Sequence, residues 1–179
     1  MTEAHMEQAV STDAPEVDAR RVALTVIAHG LAVLLVGLVA GVGLVFSLLD
    51  AVALWPLPAW DVSLPGSTRG WQAAHVGGIT NGMLLVALAL AFRPLAIEGA
   101  RALWLLRALI VTGWGNTVFY WAGNLAPNRG LSVADTVHGA GDLAGALAYF
   151  GGAAAMIALF YAVGVLLKAT FEALADTTD

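Results

Sequence analysis

The chain has 179 residues, of which 59% are apolar and only 12% charged, with a formal net charge of -5. That charged fraction is about half the ~25% usual in soluble domains, and with a mean hydropathy of +0.80 it excludes a soluble globular domain. The complete absence of cysteine excludes thiolate metal sites, iron–sulfur clusters, covalent c-type haem and disulfides. No basic patch points to nucleic acid as a partner.

In chain order, residues 1–21 carry Glu3, Glu7, Asp13, Glu16 and Asp18 and read as an acidic, disordered tail rather than a cleaved signal. An uncharged run follows over residues 22–49. Residues 51–67 hold Pro56, Pro58 and Pro65 and read as a loop. Further apolar helices are expected at about 70–92, 101–124 and 141–167, with Arg107 snorkelling, and a C-terminal tail over 169–179. Each run reaches the ~20 residues that cross a hydrocarbon core. Lone strands cannot satisfy their backbone in lipid, so the spans are helices. The expected fold is an all-α integral membrane four-helix bundle, one domain over 22–168. Arg20, Arg21, Arg93, Arg101, Arg107 and Lys168 fall on one side, Arg69 and Arg129 on the other. The positive-inside rule then puts both termini in the cytoplasm and the protein, multi-pass, in the cytoplasmic (inner) membrane. Trp55, Trp60, Trp71 and Trp121 form an aromatic belt at the outer interface. Gly37/Gly41, Gly78/Gly82 and Gly141/Gly145 are small-residue pairs that permit close helix contact.

Depth sorts the polar residues. With the second helix entering from outside, His75 lies roughly 9 Å and Asn81 roughly 18 Å below the surface at 1.5 Å per residue. On the third helix Tyr120 is roughly 6 Å and Asn116 roughly 12 Å from the outer end. Four polar side chains from two helices thus meet in the outer half of the membrane, and Asn116 and Tyr120 share a face. Intramembrane polar groups are expensive and read as functional. From spacing alone His75 is either an interhelical hydrogen bond or a haem ligand. His29 sits at a level roughly 20 Å from His75, too far to share one iron with it, and reads as structural. His138 reads as a solvated histidine at the outer mouth of the fourth helix.

These motifs resemble a known family. Pro65-Gly66-Ser67, Gly70-Trp71, Ala74-His75 and Asn81-Gly82-Met83 are similar to the second-helix signature of the bacterial styrene oxide isomerases. Gly113-Trp114, Asn116 and Phe119-Tyr120 resemble its third helix, Pro127-Asn128-Arg129-Gly130-Leu131 with Gly141-Asp142 its following loop, and His29-Gly30 with Gly41-Val42-Gly43-Leu44 its first helix. The resemblance implies a haem b enzyme that assembles as a homotrimer in lipid and rearranges a small apolar aryl epoxide to an aldehyde. It implies that His75 is the axial ligand of a ferric haem iron, and that Tyr120 and Asn81 position the substrate. Asn116 is assigned with His75 to the cofactor. Arg129 is assigned to a haem propionate from its outer-side charge and the bidentate habit of guanidinium. One position departs: Thr112 stands where the family pattern leads one to expect an aspartate. The competing readings are a haem protein for electron transfer or gas sensing, and a cofactor-free structural bundle.

Overall fold

The computed structural model describes residues 19–177 except 93 and 96. Four long helices account for most of it: α1 (Ala19–Leu49), α2 (Thr68–Phe92), α3 (Gly99–Leu125) and α4 (Leu143–Asp176). A two-strand antiparallel ribbon, β1 (Ala51–Val52) with β2 (Trp60–Asp61), sits in the α1–α2 connection that the prolines mark as a loop. All four helices are long and apolar enough to cross a membrane. The protein is a multi-pass membrane protein with an all-α bundle. Its acidic segment 1–18 lies outside the described residues, while 19–21 already belong to α1.

Successive helices run antiparallel, so the bundle has two ends. The terminal end carries the start of α1, the α2–α3 turn and the end of α4. The loop end carries the segments 50–67 and 126–142. α1 packs along α2 and α4 along α3, while α2 and α1 both touch α3. At the terminal end Val26, Leu85, Phe92, Ile97, Leu105 and Leu109 form a fully buried core. Arg101 of α3 bonds Glu172 of α4 at 3.4 Å, which confirms that these charges share one end.

Two expected boundaries are corrected. α4 begins at Leu143 rather than 141, because Asp142 caps it: its carboxylate accepts the Gly145 N–H at 2.6 Å. Gly141 therefore lies outside the helix, and Gly141/Gly145 is not a helix-packing pair. α4 also runs on to Asp176, through most of the segment read as a C-terminal tail. Lys168 and Glu172 end the apolar span but not the helix, since they pair one turn apart at 3.6 Å. The other glycine pairs do bring helices together. A methyl group on Gly37 would come within 2.9 Å of Gly78 Cα, and Gly82 fits against Gly30 and Leu34. Only glycines let α1 and α2 approach this closely.

Candidate active site at the loop end

One face of α3 carries Asn116, Tyr120 and Asn124 at four-residue spacing, and α2 answers them in order. The Asn116 amide donates to Asn81 Oδ1 at 2.7 Å. The Asn81 amide in turn donates to its own helix at Gly77 O, at 2.8 Å. Asn81 is 7% exposed, so both amides are oriented inside the helix pair rather than by solvent. One turn nearer the loop end, the Tyr120 ring lies against Gly77, where any side chain would strike it. Another turn on, Asn124 Oδ1 accepts the Ser67 N–H at 2.9 Å. Ser67 caps α2, its hydroxyl accepting from Gly70 N at 3.0 Å. Asn124 thus ties the start of α2 to the end of α3.

Above Tyr120 the two helices part around a cavity of about 980 Å³. Ala73, Phe119 and Tyr120 form its wall, and Arg69, Arg129 and His138 its rim. The far side is the 126–141 loop, built around a wholly buried Asn128. The Asn128 amide donates to Ser132 O at 2.7 Å and Ala134 O at 3.1 Å, and its oxygen accepts the Gly130 N–H at 3.0 Å. Arg129 is exposed, with its backbone in the left-handed region at φ 62. Trp71 and Trp121 of the expected aromatic belt stack edge to face beside this end, ring centroids 5.5 Å apart.

His75 does not join this cluster within one chain. The helix turns about 100° per residue, so His75 points about 200° away from Gly77. It leans on α1 instead. Its Nδ1 meets Gly37 O at 2.9 Å, and its ring fills the space that a side chain at Gly41 would take. A carbonyl only accepts, so Nδ1 carries the proton, and in the neutral imidazole the lone pair is on Nε2. The structure therefore brings Asn81, Asn116 and Tyr120 together, sets Arg129 at the rim of the same cavity, and puts His75 on the other flank of α2.

His29 Nδ1 accepts the Trp114 indole N–H at 3.0 Å, which ties α1 to α3. Thr112 is fully buried between α3 and α4, its hydroxyl within 2.9 Å of Ala108 O and 3.5 Å of Ala155 O. Sequence reasoning missed Asn124, Asn128, Gly77 and the seating of His75 on Gly41. The pair Gly37/Gly41 was the only available signal for the last.

The chain is thus a membrane bundle with a tyrosine and an oriented amide, Asn124, at an interhelical cavity. A family profile described as Styrene oxide isomerase matches residues 22–171. A protein named styrene-oxide isomerase from Pseudomonas fluorescens is 36% identical over 135 residues, covering 73% of this chain and 80% of that relative. The chain belongs to the styrene oxide isomerase family, and it is an isomerase.

Proposed function

We propose that this isomerase converts an aryl epoxide of the styrene oxide type to the aryl acetaldehyde, using haem b held by His75. The observation that carries the reading is the Asn116–Asn81 hydrogen bond of 2.7 Å, one helical turn from Tyr120, because it orients buried amide donors next to the tyrosine that lines the cavity. The donor set suits haem: Nδ1 of His75 is pinned to a backbone carbonyl, which is how ligating histidines are usually oriented, with Nε2 left for iron. When bound, ferric haem supplies a Lewis acid for the epoxide oxygen. In the substrate, the C–O bond at the ring-bearing carbon breaks, since the ring stabilises the positive charge. A hydride then moves onto that carbon from its neighbour, giving the aldehyde with no net redox change. Tyr120 and the free amide proton of Asn81 hold the oxygen and its developing charge. A single pose fixes which hydride moves. The apolar wall of Ala73 and Phe119 keeps water away and disfavours a diol.

His75 and Tyr120 occupy different flanks of α2, so one site draws them from two copies of the chain. That is the role proposed here for the homotrimer. The termini are assigned to the cytoplasm and the protein to the inner membrane, from the arginine bias.

The test is an absorption spectrum of the detergent-purified protein during addition of styrene oxide. A Soret band that shifts as aldehyde appears supports the reading, and His75→Ala should remove both band and turnover. A band that ignores the epoxide would redirect the function to electron transfer or gas sensing. A colourless protein after haem supplementation would remove the cofactor altogether.

A further inference from the structure

Two guanidinium groups line the same cavity from distant parts of the chain. Arg69 comes from the first turn of α2, and Arg129 from the loop after α3. Among the described residues no acidic one lines the cavity. The carboxylates of the adjoining loop are already engaged: Asp135 accepts the Gly141 N–H at 2.8 Å, and Asp142 caps α4. Among the described residues the only ion pairs join Arg101 and Lys168 to Glu172 at the opposite end. The rim therefore carries two cations that no described carboxylate neutralises, and the start of α2 adds the positive end of a helix dipole. Below them the wall is apolar and aromatic. The volume of about 980 Å³ far exceeds what a one-ring epoxide needs. A cavity of this size and polarity suits a large, flat, apolar body with two acidic groups on one edge.

We propose that Arg69 and Arg129 together hold the carboxylate edge of haem b, one guanidinium for each propionate. The assignment rests on the haem reading above and adds Arg69 as the second cation. Guanidinium matches carboxylate bidentately, so the pair fixes the in-plane orientation of the cofactor as well as its affinity. Tyr120, one to two turns below the rim, then faces the body of the ring rather than its edge. His138 sits at the same rim and supplies a further polar contact.

The experiment uses the full-length protein in detergent and two probes, haem and its neutral dimethyl ester. Binding is read from the Soret band, and release from transfer to excess apomyoglobin. Arg69→Gln and Arg129→Gln should each speed haem release about 10-fold and the double variant about 100-fold, the usual scale of a partly solvated charge-assisted pair. Arg69→Lys should fall between, because it restores charge without the fork. The dimethyl ester should bind wild type about 100-fold more weakly than haem and should not sense the arginine substitutions. Haem release from Arg69→Gln at the wild-type rate overturns the proposal, and so does an ester bound as tightly as haem. If Arg69→Gln does not fold, the comparison of haem with its ester on wild type decides alone. Failure of wild type to take up any haem overturns the haem reading and this proposal together. Haem uptake indifferent to both arginines overturns only this one.

Discussion

The two ends of the bundle are held by different chemistry. At the terminal end, Leu85, Phe92, Ile97, Leu105 and Leu109 interlock with no exposed surface to speak of. At the loop end, the contacts are glycine on glycine, amide on amide, and one buried asparagine organising a loop. Lipid is as apolar as leucine, so burying these side chains gains little from the hydrophobic effect and mainly gains dispersion contacts. Large side chains maximise those contacts but leave no room. Small ones let α1 and α2 touch and leave room between α2 and α3 for the cavity that Tyr120 and Asn124 line. Stability and site are thus segregated along the membrane normal. The loop end is held by a few directional bonds that are easy to break singly.

Substitutions at each end test that division. The largest effect is expected from Gly78→Leu, which drives a side chain into the backbone of α1 at Gly37. It should cost about 3 kcal/mol or more, as overpacking against backbone does, and should be visible in thermal unfolding in detergent. Tolerance of Gly78→Leu would mean the α1–α2 contact is loose. Next is Tyr120→Phe, which keeps packing against Gly77 but removes one hydroxyl. Unfolding should be unchanged while turnover falls about 100-fold, roughly 2.7 kcal/mol of barrier. An unchanged rate would take Tyr120 out of the chemistry. Leu105→Ala, in the terminal core, should cost about 2 kcal/mol of stability while turnover per folded molecule stays within a factor of about two. A specific loss of turnover in Leu105→Ala would show that the two ends are coupled.

The same division explains what the sequence made legible. Uncharged runs marked four spans because lipid tolerates few charges, and depth followed from residue counting, which is why Asn81 and Asn116 were expected in the same half of the membrane. Direction around the helix was harder. His75 and Asn81 lie at compatible depths, yet which flank faces α1 depends on where Gly37 and Gly78 meet, and a glycine pair does not name its partner. Asn128 stood in a quoted motif, but its role was not legible, since a loop asparagine looks solvated until three bonds close around it. The end of α4 was misplaced for the opposite reason. Lys168 and Glu172 stop a hydropathy run, but charges at four-residue spacing prolong a helix in water. Arg129 was singled out by its loop motif, its outer-side charge and the bidentate habit of guanidinium. Arg69 was legible as a second outer-side arginine, but that both line one cavity is seen only in the structure.

The smallest effect is expected at position 112, where the resemblance led one to expect an aspartate. Thr112 is wholly buried, and both groups near its hydroxyl, Ala108 O and Ala155 O, are acceptors. Thr112→Asp would face those carbonyls with a carboxyl group. Ionised, it would have no donor; protonated, it can give one hydrogen bond, as threonine does now. The group is expected to keep its proton and to cost about 1–2 kcal/mol, the range for an imperfectly matched buried polar group. Thr112 lies one turn from Asn116, on the side that packs against α4, so turnover should hold or rise slightly. Thermal unfolding and initial rates on the same preparation separate the outcomes. A modest loss of stability with rate preserved makes position 112 a helix-packing site that threonine fills in this chain. A fall in rate at full stability would mean that the α3–α4 contact sets the direction of Asn116, extending the loop-end machinery one helix further than the Asn81 bond shows.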